Sequence, residues 1–283
     1  VIYLLGSLLY RMKILLFILT VSINWAIGIQ ALNLPITAES LALSNTGMAY
    51  PLNTSMNSSY QQIDGNKVSF SSNYWFEGVS GKTIFNQFGK HEFSLNSFSI
   101  NDLELWGEKP ASEALGQFGL QFSCLSYRYL FNQQANQNIG LKVKAIYSKL
   151  YTDIMYGLLF DAGLTQKINK HFNIGLTLKN IGYINSDLIT PTLPSEYGIG
   201  MSFNHKRIGV TLLSDLIYSQ INDKAFKLGL IKNTKFVNFY GSFAKFETNQ
   251  YLSTGFQIKY KNIAFSYGIL FQEIQLLGIP QSF

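Results

Sequence analysis

Gln117-Phe118-Gly119-Leu120-Gln121-Phe122-Ser123-Cys124 carries bulky apolar side chains at even positions and small or polar ones between them. Three further runs follow. Ile139-Gly140-Leu141-Lys142-Val143-Lys144-Ala145 has its apolar residues at odd positions. Tyr156, Leu158, Phe160, Ala162 and Leu164 then alternate with Gly157, Asp161, Gly163 and Thr165, and Phe172, Ile174, Leu176 and Leu178 with Asn173, Gly175, Thr177 and Lys179. A strand turns successive side chains to opposite faces, so each run has one apolar and one hydrophilic face. In a soluble sandwich the apolar faces pack together. In an outer-membrane barrel they meet lipid while the polar faces line the lumen. Length separates the cases: soluble strands average about five or six residues, a tilted membrane strand about nine to eleven, and these runs are of the longer kind. The expectation is an all-β, transmembrane antiparallel β-barrel with the apolar side of every run, including 118–124, facing lipid.

Composition agrees. Only 13% of the 283 residues are charged and 15% are aromatic, well below the usual quarter for charge and suited to a lipid-facing wall with aromatic girdles. The net charge of +6 is spread over scattered lysines. No basic stripe interleaved with aromatics stands out, which argues against nucleic acid as a partner. The single Cys124 excludes an internal disulfide and an all-Cys zinc site; on the apolar face of its strand it reads as a buried or lipid-facing thiol.

Along the chain, residues 1–11 read as upstream or fragment sequence. Residues 12–31 read as a secretory signal: Arg11 and Lys13, an apolar core from Ile14 to Val21, and a cleavage end at Gln30-Ala31. A retained membrane-anchoring helix is the competing reading. Residues 32–63 differ, with a short helix at 38–43 and the polar run 53–59; they fit a plug inside a barrel or a surface extension. Strands are predicted within 64–283, near 67–75, 82–88, 91–100, 116–130, 139–150, 155–168, 171–181, 195–204, 207–218, 225–231, 236–246, 251–260 and 263–271. Short turn signals (Asn169-Lys170, His205-Lys206, Asn233-Thr234, Lys261-Asn262) alternate with longer polar connections at 101–115, 132–138 and 185–194, the outer-membrane arrangement. These are thirteen strands, and bacterial single-chain barrels close with even numbers. The stretch 276–283 reads as too short for another, so the expectation is about fourteen strands with the last one truncated.

The run from Gly140 to Leu150 resembles the "G-x-x-x-K-x-I-Y-S-x-L" strand of the PorV/PorQ family. Asp161-Ala162-Gly163 resembles its "D-x-G" strand, Asn180-Ile181-Gly182 its "N-x-G" strand end, and Leu193-Pro194 with Gly200 its "L-P-x-x-x-x-x-G" stretch, in the family's order. Residues 38–57 resemble a degenerate opening segment, with "G-G" reduced to Gly47 and "N-P-A" to Asn57-Ser58-Ser59, which makes Asn57 a hatch-motif candidate. The resemblance implies a FadL-like barrel of fourteen strands with an amino-terminal hatch. It also implies a Gram-negative, Bacteroidetes-like outer membrane and an accessory or cargo-shuttling role in type IX secretion, with secretion-system or cargo proteins as partners. The same fold serves a FadL-like carrier of small hydrophobic molecules, because fold does not fix function.

Little in the sequence points to catalysis or to a cofactor. His91, His171 and His205 sit at strand starts or turns without paired-ligand spacing, and no G-x-S-x-G elbow or phosphate loop occurs. A non-enzyme is expected; an outer-membrane hydrolase would need a Ser–His pair on neighbouring strands, and a secreted soluble β protein would need apolar faces packed together. On the polar faces fall Lys142, Lys144, Asp161, Lys179, Glu196, Arg207 and Asp215, with Lys227 and Lys259. They are candidates to line the lumen, as a ligand path or as a mutually paired interior. Trp75, Trp106, Tyr127, Tyr129, Tyr147, Tyr183 and Tyr260 lie near strand ends, where interfacial girdles and plain strand propensity both place them. A closed barrel predicts that detergent-extracted protein migrates faster on gels unboiled than boiled; migration indifferent to boiling would rule the barrel out.

Overall fold

The computed structural model describes residues 27–61, 65–75, 78–105, 114–133, 136–186, 191–221, 223–272 and 278–283. Residues 1–11, most of the signal-peptide reading and Trp106 lie outside the described residues. Fourteen antiparallel strands close on one another in chain order, with β1 beside β14. They are β1 Lys67–Tyr74, β2 Ser80–Phe88, β3 His91–Leu105, β4 Gly116–Gln133, β5 Gln137–Leu150, β6 Asp153–Lys167, β7 Phe172–Ser186, β8 Glu196–His205, β9 Val210–Ser219, β10 Asp223–Asn233, β11 Val237–Phe246, β12 Gln250–Tyr260, β13 Ile263–Gln272 and β14 Gln281–Ser282.

The wall follows from the alternation. On β6, Tyr156, Leu158 and Phe160 point outward, each more than half exposed, while Met155, Leu159, Asp161 and Gly163 point inward and are buried. On β5 the outward set is Leu141, Val143 and Tyr147, and the inward set Lys142, Lys144, Ile146 and Ser148. The pattern repeats round the cylinder, with Ile199, Leu216, Leu228, Phe239 and Leu252 outside and Ser202, Asp215, Lys227, Asn238 and Ser253 inside. An outer surface so apolar, over an interior so polar, is the inverse of a soluble protein and is what lipid requires. Two broad concavities, one bordered by Leu176, Ile199 and Leu216, the other by Met201, Leu212 and Leu228, lie on this outer wall. One rim has short turns, as at 168–171, 206–209 and 261–262; the other has longer connections at 106–115, 187–195 and 273–280. Exposed Phe88, Phe93 and Tyr260 lie near the short-turn rim, and Tyr147, Tyr156, Tyr183 and Tyr218 toward the other.

Three features bear on the sequence reading. First, the expected count of about fourteen strands holds, with a short last one: β14 has two residues, Ser282 opposite Asn73 on β1 and opposite Gly268 on β13. Among the described residues, no strand pairs with the β14-side edge of β1 over 68–71 or of β13 over 263–267. Second, the apolar face of 118–124 points into the lumen. Leu120, Phe122 and Cys124 are buried there with Phe98, Ile146 and Leu159, because Ile29, Ala31, Leu32 and Leu34 of the chain's beginning supply apolar partners inside the barrel. Past Cys124 the apolar residues of β4 change parity, with Leu125, Tyr127 and Phe131 outside and Ser126 and Arg128 inside. Third, the register of β6 on β7 jumps from Phe160↔Ile181 to Ala162↔Leu178. Lys179 and Asn180 therefore face Asp161 alone, a bulge whose extra residue, Asn180, has φ 59.

Phe160 sits at the middle of β6, 53% exposed on the outer wall. Phe160→Arg is expected to lower unfolding free energy in lipid vesicles by about 2–4 kcal/mol, read by denaturant titration. No loss would mean that this face does not meet lipid.

Candidate functional site

The candidate site is the segment 27–61 and the inner wall that seats it. The segment opens with a helical turn Ile27–Gln30 and a 3-10 turn Ala31–Asn33, then a helix Ala38–Ala42. Thr37 caps that helix: its side chain accepts from the Ser40 amide while the Ser40 side chain accepts from the Thr37 amide. Ser44 and Asn45, with φ 49 and 57, and then Gly47 turn the chain so that its backbone runs along the wall.

Inward-facing glycines make that approach possible. A Cβ at Gly140 would overlap the Ser58 carbonyl, one at Gly163 the Asn57 side chain, and one at Gly175 the Met48 carbonyl. Asn57 is fully buried in this groove. Its amide nitrogen donates to the Met48 carbonyl at 2.7 Å and to the strand carbonyls of Leu164 and Leu176 at 3.3 and 3.2 Å. Its Oδ1 accepts from the Ser59 amide at 3.0 Å and the Ser59 hydroxyl at 2.8 Å. Both ends of one side chain are thus satisfied, which a buried amide requires.

Charged groups of the wall grip the segment's polar backbone. Lys142 Nζ donates to Thr54 O at 3.1 Å and to Thr54 Oγ1 at 2.9 Å. The Thr54 hydroxyl bonds Glu92, which lies 3.7 Å from Arg128. Lys179 Nζ donates to Ser55 O at 2.9 Å and lies 3.8 Å from Glu196. Lys144 pairs with Asp161 at 2.7 Å and donates to Asn180 Oδ1 at 2.6 Å. Asn180 donates its amide N–H to Asp161 at 2.8 Å, and its side chain to Asn33 at 2.7 Å and to the Pro194 carbonyl at 2.9 Å. On the neighbouring strands β9 and β10, Asp215 Oδ2 accepts from the Gly47 and Met48 amides at 2.6 and 3.2 Å, and Lys227 donates to Ser44 O at 2.9 Å. Buried charges persist only when paired or hydrogen-bonded in this way. Burial raises the phenols of Tyr50 and Tyr60, the latter, with the charge of Glu92 adding, to about 12, so both stay neutral.

Lys142, Lys144, Asp161, Lys179, Glu196 and Asp215 therefore face the lumen, and Asn57 joins them to the segment. Arg207 does not: it lies exposed in the turn between β8 and β9, because β9 begins only at Val210. Lys259 is exposed as well. Glu92, Arg128 and Asn180 escaped the sequence reading. The first two share parity with Ser94, Asn96 and Ser126, opposite to outward Phe93, Leu95 and Leu125, so the alternation carried through β3 and β4 marks them. Asn180 has no such signal, since its role comes from the bulge.

The lumen is divided. Toward the long-loop rim Phe98, Leu120, Phe122, Ile146, Leu159 and Ile184 pack against Ile29, Leu32 and Leu34. Toward the short turns the interior is filled by the polar contacts above and by a second apolar cluster, in which Leu43 and Met56 of the segment pack against Leu213, Ile231 and Tyr240. Between the two lies a cavity of about 60 Å³ bordered by Asn33, Cys124, Lys144, Asp161 and Glu196, room for a few waters. No group of three or more potential metal ligands occurs among the described residues. His91 bonds the Tyr127 hydroxyl, and His171 the Asn204 carbonyl, each at 2.8 Å near the short-turn rim.

No family model matches the chain, and no curated protein matches it. Solved structures do. The chain is similar to the CymD monoaromatic hydrocarbon channel at a TM-score of 0.58 and 10% identity, covering 88% of this chain and 96% of that one. It is similar to a Pseudomonas aeruginosa FadL homologue at 0.58 and 9%, covering 87% and 96%. It is also similar to the Pseudomonas putida toluene transporter TodX at 0.54 and 9%, covering 90% and 95%. At such identities the likeness speaks for the fold alone, a closed antiparallel β-barrel.

Gly163→Val is expected to displace Asn57 and free the segment while the wall stays closed. Protease should then cut within 27–61 at least about tenfold faster than in the parent, with heat-modifiable migration retained. An unchanged cleavage rate would show that the glycine groove does not hold the segment.

Proposed function

We propose that this chain is a Gram-negative outer-membrane barrel that passes small hydrophobic molecules, with the segment 27–61 as its closure. One observation carries the reading: toward the long loops the inner wall is apolar, built of Phe98, Leu120, Phe122, Ile146 and Leu159, and the segment covers it with Ile29, Leu32 and Leu34. Lipid-facing side chains explain the outer wall of a barrel; they give no reason for apolar side chains inside it. A hydrophobic solute leaving water gains about 25 cal/mol per Å² of apolar surface it buries, and this wall supplies such burial once the segment draws back. The likeness to a monoaromatic hydrocarbon channel and to a toluene transporter supports the same reading. Onward passage requires the segment to shift. The contacts that hold it are hydrogen bonds of the wall to its backbone, which water can replace as it moves, and apolar packing of Ile29, Leu34, Leu43 and Met56, which an apolar solute can replace.

A second reading is an accessory role in protein secretion or surface attachment in a Bacteroidetes-like cell, with secretion-system or cargo proteins as partners. The four motif resemblances from Gly140 to Gly200 favour it, and so does a short-turn half of the lumen filled by Asn57, Thr54 and Ser55 against Lys142 and Lys179.

Uptake separates the two. In intact Gram-negative cells lacking their own hydrocarbon channel, expression of the chain is expected to raise uptake of labelled toluene several-fold, and Phe122→Asp to abolish the gain with the barrel still folded. Uptake equal with and without the protein would sink the carrier reading. Loss of surface-attached proteins on deletion in the native cell, with uptake unaltered, would establish the second.

A further inference from the structure

The excess positive charge looks scattered in the sequence, yet the fold collects it. Five of the six short-turn connections carry exposed basic residues: Lys90, Lys170, Lys206 with Arg207, Lys235, and Lys261. Among the described residues no exposed acidic side chain lies on that rim; the nearest acid, Glu92, is buried in the lumen beside Arg128. The long-loop half of the outer surface is mixed, with Lys82, Lys149, Lys224 and Lys245 among Asp102, Glu104 and Glu247. The basic residues also sit at a defined depth. Lys235 Nζ lies 5.2 Å from the ring centre of Phe236, exposed in its turn, and Lys261 Nζ 5.4 Å from that of Tyr260, exposed on the outer wall. Aromatic rings of this kind settle at the membrane–water boundary, and lysines beside them extend toward the charged layer.

We propose that the short-turn rim is a collar that gathers anionic phospholipid headgroups from the leaflet in which it lies. Outer-membrane barrels place short turns on the periplasmic side, so that leaflet is the phospholipid one facing the periplasm. A bilayer is favoured over an acidic protein because the charges form a ring level with the aromatic girdle, facing outward all round, and are not gathered in one patch. The collar is independent of what the lumen passes.

The test uses the full chain reconstituted in phosphatidylcholine vesicles holding traces of spin-labelled phosphatidylglycerol or spin-labelled phosphatidylcholine, with the protein-immobilised lipid fraction as readout. The expected result is a preference for the anionic label of roughly fivefold, lost in 1 M salt, where the Debye length shrinks to about 3 Å. The variant Lys170→Gln, Lys206→Gln, Arg207→Gln, Lys235→Gln, Lys261→Gln should abolish the preference. Lys82→Gln, Lys149→Gln, Lys224→Gln, Lys245→Gln should keep it. No preference in the parent protein overturns the proposal, even if the protein captures an acidic soluble partner. A preference that survives in the rim variant, or disappears in the long-loop control, also overturns it. The salt titration on the parent decides the matter should the rim variant fail to fold.

Discussion

Hydrocarbon offers no hydrogen bonds, so every backbone N–H and C=O that crosses it must find a partner within the protein. Long alternating strands meet that demand only by closing on themselves, and fourteen of them do so here. Closure then creates a second problem, because a cylinder of this size has an interior to fill. The side chains that alternate inward cannot fill it alone where they are Gly140, Gly163, Gly175 and their like. The chain's own beginning does.

That filling explains how charges kept to the ends of the outer wall occur in the middle of the lumen. Lys142, Lys179, Asp215 and Lys227 each meet main-chain atoms of the segment, and Lys144 meets Asp161 and Asn180. Replacing a charge's hydration with fixed dipoles works only if the dipoles are within reach, and glycines in the wall bring the segment's backbone that close. The same close fit leaves a cavity of about 60 Å³ between the polar contacts and the apolar packing of the long-loop side. Side-chain packing seats the segment at both ends of the lumen, through Ile29 and Leu34 toward the long loops and through Leu43 and Met56 toward the short turns.

Much of the wall was legible in the sequence. Period-two alternation located thirteen strands with most ends within a few residues of those found, and the turn chemistry located the short hairpins. Alternation assigns residues to two faces, however, and does not say which face is inside. Where the interior is polar the assignment was sound, as for Lys142 and Asp161. Where it is apolar, at 118–124, the reading put Leu120 and Phe122 outside, since the partners that hold them inside, Ile29 and Leu34, lie some ninety positions earlier in the chain. Arg207 was placed in a strand by a boundary three residues early, enough to carry it from the turn to the lumen. Asn180 was visible only as part of a resemblance, because a bulge gives a residue its role through a register that no local pattern encodes. The basic rim escaped for a similar reason: one or two lysines per turn, tens of residues apart, become neighbours only after the sheet has closed.

The bulge on β7 bears on the shape of the wall. Two of its residues, Lys179 and Asn180, face Asp161 alone, and an extra residue of this kind bends its strand and sharpens the local twist. Curvature and ion pairing thus share one origin: taking Asn180 out would straighten the strand and strip from Asp161 the main-chain N–H whose hydrogen bond it accepts.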